Sequence, residues 1–101
     1  MASHYAPKTP LIILPHGVSP DIAANVKAGV LTHGNEELNF TYQQRENLSV
    51  KDDLKEAAHN LFAALHRLDD AELDVIYVYE FPEKGLGCAI MERLRKAAAK
   101  R

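Results

Sequence analysis

Val75-Ile76-Tyr77-Val78-Tyr79-Glu80, followed by Phe81-Pro82-Glu83-Lys84-Gly85-Leu86-Gly87 and then by the segment Cys88 to Lys96, decides the fold. The β-branched and aromatic run predicts a strand buried on both faces, because such side chains pack well on a pleated surface. Pro82 ends it, since proline cannot donate to a sheet ladder and biases Phe81 away from helical angles. Gly85 and Gly87 then permit a tight turn and close packing of a helix on the sheet. A strand, a glycine-bearing turn and a helix in immediate succession belong to α/β proteins, whose ligand sites lie at the carboxyl ends of strands.

Upstream, Leu11-Ile12-Ile13-Leu14 is a short apolar run closed by Pro15 and Gly17, which suits a central strand. Ser19-Pro20-Asp21 fits a helix start, with a cap, a proline at the first helical position and an acid in the first turn, so a helix is expected to about Lys27 or Ala28. Ala28 to Thr32 reads as a second strand ending in the turn-prone His33-Gly34-Asn35. Leu38, Phe40 and Tyr42 alternate with polar residues, predicting a half-exposed edge strand. Ser49 is placed to cap the next helix, with Asp52 in the capping-box position. Leu54, Ala57, Ala58, Leu61, Phe62, Leu65 and Leu68 then recur at helical spacing, and Asp69-Asp70 closes that helix. The expected order is strand, helix, strand, strand, helix, strand, helix. This is a small Rossmann-like α/β domain with a mainly parallel sheet of about four strands and helices packed on its faces.

A length of 101 residues suits one small domain, with residues 1–10 an extended lead-in and 11–101 the folded unit. Composition is that of a globular chain, 47% hydrophobic and 26% charged. Twelve basic against fourteen acidic residues leave a net charge of -2, which offers no broad attraction for nucleic acid. The basic run Arg93, Arg95, Lys96, Lys100 and Arg101 reads as the soluble end of a helix. Cys88 is the only cysteine, so no intrachain disulfide forms; it reads as a small buried packing residue in a reducing, cytoplasmic setting. No stretch is long enough to span a bilayer.

The five histidines, His4, His16, His33, His59 and His66, show no close metal-ligand spacing, and no metal site is expected. Gly85-Leu86-Gly87 precedes a helix whose free amides attract anions, making it a candidate anion-binding turn. It lacks the third glycine of a dinucleotide fingerprint and follows the last strand, so close helix packing explains it equally well. No nucleophile, base and acid can be assembled from spacing, and no catalytic residue is assigned.

Read as Pro-Glu-x-Gly-Leu-Gly-x-Ala-Ile-Met-x-Arg-Leu-x-Lys-Ala-Ala, the segment Pro82 to Ala98 resembles the end of the long-form threonylcarbamoyl-AMP synthases. Glu56 to Leu65 with Leu68-Asp69 resembles the preceding helix of that family's C-terminal domain. His4-Tyr5-Ala6-Pro7-Lys8 resembles the close of its interdomain linker, and together the three cover nearly the whole chain. The resemblance implies an accessory, noncatalytic C-terminal domain with a remnant of the linker over residues 1–10. Its partner would be a YrdC-like catalytic domain, in cis or in trans, that makes threonylcarbamoyl-adenylate from L-threonine, bicarbonate and ATP for tRNA modification. ATP and magnesium would belong to that partner, with no cofactor in this chain. His4 and Tyr5 are implied as lid residues over the partner's active site, where closure excludes water from a labile intermediate. Met1-Ala2-Ser3 stands where the family has more linker, and Glu92 and His66 replace a common asparagine and arginine. The residues alone leave two other readings open: a stand-alone module binding a small nucleotide or anion at the strand ends, and a self-associating domain.

Overall fold

The structure, a computed structural model, describes residues 7–99. Four parallel strands, β1 (Leu11–Leu14), β2 (Ala28–Thr32), β3 (Gln44–Asn47) and β4 (Val75–Tyr79), form one sheet in the order β1-β4-β2-β3. Two helices follow β3 and β4 respectively, α1 (Leu54–Asp69) and α2 (Leu86–Ala99). The α/β class and the parallel sheet are as the sequence predicts.

Register places side chains in rows across the sheet. Ile13, Val78 and Leu31 lie in one row, and Ile12, Tyr77 and Val30 in the next, on the opposite face. The first face carries the main core, where Leu11, Leu31, Ile76 and Val78 meet Ala57, Leu61, Leu65 and Leu68 of α1 and Ile90, Met91 and Leu94 of α2. Both helices therefore cover one face. Leu14, Val30 and Tyr79 on the other face are covered by connecting chain, through Leu38 and Phe40.

Four local expectations are corrected. Leu11–Leu14 forms an edge strand rather than a central one, because β4 is its only partner, and Ile12 is left exposed on the face away from the helices. Residues 20–27 form no helix. After Pro20, Ile22 and Val26 are the segment's only half-buried side chains, too little packing to nucleate two turns. Asp74 also takes the backbone of Lys27 at both ends, its carboxylate accepting from the Lys27 amide at 2.8 Å and its own amide donating to the Lys27 carbonyl at 2.7 Å. The alternating Leu38, Phe40 and Tyr42 do not form the edge strand either. Leu38 and Phe40 turn onto the sheet, and the edge strand begins at Gln44, with polar side chains that hydropathy cannot flag. Cys88 is exposed rather than buried, because the inward stripe of α2 runs through Gly87, Ile90, Met91, Leu94 and Ala97 and position 88 falls outside it.

The cap of α1 also moves. Asp53 accepts from the amides of Lys55 and Glu56, at 2.9 and 3.4 Å. Ser49 lies one turn earlier, where its hydroxyl accepts from the Asp53 amide at 2.9 Å and donates to Glu56 Oε1 at 2.6 Å. At the other end of α1, buried Asp69 accepts from the Lys8 amide at 3.2 Å, the Thr9 amide at 3.0 Å and the Thr9 hydroxyl at 2.7 Å. The chain thus enters β1 through a fixed clamp at the amino end of the strands. Among the described residues no helix is long and apolar enough to cross a membrane.

At the start of α2 the two turn glycines differ. A Cβ on Gly87 would lie 1.7 Å from the Pro82 carbonyl oxygen, whereas Gly85, at φ +56°, has open space around it. Gly87→Ala is expected to cost roughly 3 kcal/mol through backbone displacement. Gly85→Ala should cost about 1 kcal/mol, from left-handed geometry alone. Urea denaturation of both variants checks that ranking.

Candidate functional site

The carboxyl ends of β1, β2 and β4 open into a cleft of about 540 Å³ lined by His16, His33, Asn35, Glu36, Asp52, Glu80, Phe81 and Pro82. This is the position at which open α/β sheets bind ligands, and the volume lies in the range of about 300–1,000 Å³ usual for small-molecule sites. Each strand delivers a polar residue just past its end: His16 after β1, His33 after β2 and Glu80 after β4.

His33 organises the cleft. Its ring is buried and stacks on Phe81 at a centroid distance of 3.9 Å with 19° between planes. Nε2–H donates to the Glu80 carbonyl at 2.9 Å, and Nδ1 faces Asp52 Oδ1 at 2.7 Å. One side chain therefore ties together the chain after β2, the chain after β4 and the turn before α1. Asp52 holds its carboxylate there with φ at 60°, a left-handed geometry that a non-glycine residue adopts at a cost of about 1–2 kcal/mol. Such a conformation persists only where its surroundings over-determine it.

Glu36 forms the second centre. Its buried carboxylate accepts from the Gly17 amide at 3.2 Å and meets His16 Nδ1 at 2.9 Å. Arg45 Nη2 donates to the Glu36 carbonyl at 2.9 Å while its Nε donates to Thr32 Oγ1 at 3.1 Å. Glu80 Oε2 accepts from the His16 amide at 3.4 Å. The Tyr79 hydroxyl donates to the Val18 carbonyl and pins the loop after β1. Burial pushes the Tyr79 phenol above its ordinary 10.0, and the negative charge of Glu36 adds to the effect.

Chemically the cleft presents carboxylates at Glu36, Asp52 and Glu80, an amide at Asn35 and two imidazoles. A phosphate entering here would meet those acids, whereas a group rich in hydrogen-bond donors would meet acceptors. Among the described residues no three His, Cys, Asp or Glu side chains come together as a metal-binding set.

The sequence-selected residues lie elsewhere. His4 and Tyr5 fall outside the described residues. Gly85, Leu86 and Gly87 form the entry to α2, where the Gly87 amide donates to the Lys84 carbonyl at 3.0 Å and the Cys88 amide to the Gly85 carbonyl at 3.1 Å. Two of the amides an anion would use are thereby engaged within the turn. Sequence reasoning assigns none of His33, Glu36, Asp52 and Glu80 to a site. The signal that points to them is their position just beyond strand ends, or in the turn leading into α1, rather than any spacing motif.

His33→Ala removes a buried ring and both its partners, and is expected to lower stability by about 2–4 kcal/mol. Thermal unfolding should show that loss. The raised Tyr79 pKa carries its own sign. The unfolded phenol loses its proton first, so stability is flat below pH 10 and falls as pH rises beyond it, toward the folded-state pKa. Tyr79→Phe should abolish this component of the alkaline loss in denaturation measured as a function of pH.

The family model for the threonylcarbamoyl-AMP synthase C-terminal domain matches residues 1–99. The threonylcarbamoyl-AMP synthase of Pyrococcus abyssi is 34% identical over 110 residues, covering 97% of this chain and 30% of the relative. That of Bacillus subtilis is 31% identical over 106 residues, covering 98% and 31%. Among solved structures, P. abyssi Sua5 in complex with L-threonine superposes with a TM-score of 0.74 at 33% identity, over 97% of this chain and 30% of that one. A P. abyssi Sua5 variant with an adjacent histidine and tyrosine changed to alanine gives 0.69 at 32% identity, over 91% and 30%. The chain spans about 30% of the length of these relatives. With the domain model matched from residue 1 to residue 99 and the same sheet and helices found in a solved relative, this chain belongs to the family of threonylcarbamoyl-AMP synthase C-terminal domains.

Proposed function

We propose that this chain is the accessory portion of an L-threonylcarbamoyladenylate synthase, docking on a YrdC-like catalytic domain and helping to gate it, with no catalysis of its own. The observation that carries the reading is one of span: the C-terminal-domain model takes residues 1–99, while the whole chain amounts to 30% of the synthases it matches. The chemistry with L-threonine, bicarbonate and ATP, and any magnesium, then belongs to the remainder. The accessory portion contributes position and closure.

The Asp69 clamp supplies a physical route for that contribution. Three donors from Lys8 and Thr9 converge on one buried carboxylate, so the chain leaving toward residue 1 starts from a fixed point. Tyr5 is three residues before Lys8 in the sequence, a reach of at most about 11 Å for an extended chain. A closed lid protects a carbamoylated intermediate from water. The solved variant lacking a neighbouring histidine and tyrosine shows that such a pair has drawn substitution in a relative. His4-Tyr5 is the matching dipeptide type here.

The test is threonylcarbamoyl-adenylate formation by the full-length synthase that carries this sequence. His4→Ala with Tyr5→Ala should lower the rate by roughly tenfold or more, as loss of a site-closing contact does, without moving the melting temperature. Product formed by this chain alone, or an unchanged rate in the double variant, overturns the reading.

A further inference from the structure

We infer that the cleft at the carboxyl ends of β1, β2 and β4 is a binding site for a small organic cation, an amine or guanidine carried on a short apolar body. The inference goes beyond the accessory-domain reading and does not depend on it, because occupancy is measured on this chain directly.

Topology makes the cleft. β4 lies between β1 and β2, and the chain leaving it turns onto the helix face as α2. The chains leaving its two neighbours go to the other face. After β1, the Val18 carbonyl accepts from the hydroxyl of Tyr79, whose side chain lies on that face. After β2, Leu38 and Phe40 pack there as well. Adjacent strands whose connections leave to opposite faces part at their carboxyl ends, and the crevice so formed is where open α/β sheets hold ligands. Both seams of β4 open in that way, and the hollow of about 540 Å³ lies at their mouth. One water takes about 30 Å³ of liquid, so the space suits a molecule rather than a bare ion.

Charge and hydrogen-bonding chemistry select that molecule. The lining holds the carboxylates of Glu36, Asp52 and Glu80 and, among the described residues, no lysine or arginine. Such a wall repels a phosphate or a carboxylate and draws a cation. The amides at the start of α1 are not open to an anion either, since Asp53 takes those of Lys55 and Glu56. The acceptors of the cleft are only partly used. Glu36 is buried against the Gly17 amide and His16, and Asp52 Oδ1 faces His33. Glu80 has only the 3.4 Å contact with the His16 amide, and Asp52 Oδ2 has no hydrogen-bond partner among the described residues. Two exposed carboxylates thus keep oxygens for charge-assisted N–H donors, beside the apolar wall of Phe81 and Pro82.

Agmatine, which carries a guanidinium and an ammonium on a butyl chain, is the probe. Titrated into the isotope-labelled chain, it should shift the amide resonances of His33, Asn35, Glu80 and Phe81 saturably, with a dissociation constant of about 1 mM or tighter. Added salt should weaken it. Glu80→Gln should lower the affinity about tenfold, the loss expected for one charge-assisted hydrogen bond, and Glu80→Lys should abolish binding. Both should keep the melting temperature, because Glu80 is exposed. Glu92→Gln, at an exposed position of α2, should change nothing. AMP, inorganic phosphate and magnesium chloride should leave the cleft resonances in place. Saturable shifts there with AMP or phosphate make it an anion site and overturn the inference, and equal shifts with magnesium alone make it a metal site and do the same. No cleft shift with agmatine, shifts that never saturate, or shifts that persist unchanged in Glu80→Lys overturn it as well.

Discussion

Strand β4 lies between β1 and β2, two strands that never pair with each other. Until Val75 to Tyr79 take that slot, neither neighbour has a complete ladder, although both precede β4 in the chain by more than 40 residues. The sheet therefore closes only when β4 arrives, through contacts of long sequence separation whose loop entropy is lost before any contact is gained. The slot also explains the composition of β4. A strand flanked on both sides and covered on both faces must be β-branched and aromatic, which is why this stretch announces the architecture so clearly.

Elements that bury apolar surface were legible for the same reason. β1, β2, α1, β4 and α2 each carry a hydrophobic pattern imposed by one shared core, and each occurs where its pattern lies. The misread segments are those whose structure is set by backbone partners. Residues 20–27 hold good helix-start chemistry, yet Asp74 draws Lys27 into an extended path, and no face of the segment is buried deeply enough to resist. β3 is an edge strand of Gln, Arg, Glu and Asn, joined to β2 by main-chain bonds, so its side chains announce nothing. Local propensity lost to tertiary pairing in both places.

The cleft was illegible in a different way. His33, Asp52 and Glu80 are separated in sequence by 19 and 28 positions and form no motif. They converge because β2 and β4 are adjacent and parallel, which brings their carboxyl ends together, and because the turn before α1 returns to the same end. Knowing that strands end at Leu14, Thr32 and Tyr79 is enough to nominate the residues that follow them. The glycine-bearing turn drew notice for its spelling, yet the Pro82 carbonyl at Gly87 gives it a steric reason independent of any ligand.

The domain has two organised ends, the Asp69 clamp and the His33 cleft, and the length of β1 sets the distance between them. Four residues at about 3.3 Å each separate the clamp from the cleft by on the order of 13 Å. The clamp holds the path by which the chain enters β1, at the end of the strands opposite the cleft. The two features are built differently: three donors converge on one buried carboxylate at the clamp, whereas at the cleft His33 ties together chain that follows β2, chain that follows β4 and the turn before α1. Because both helices lie along one face of the sheet, neither covers the cleft end, and the polar residues that follow the strands line an open hollow there.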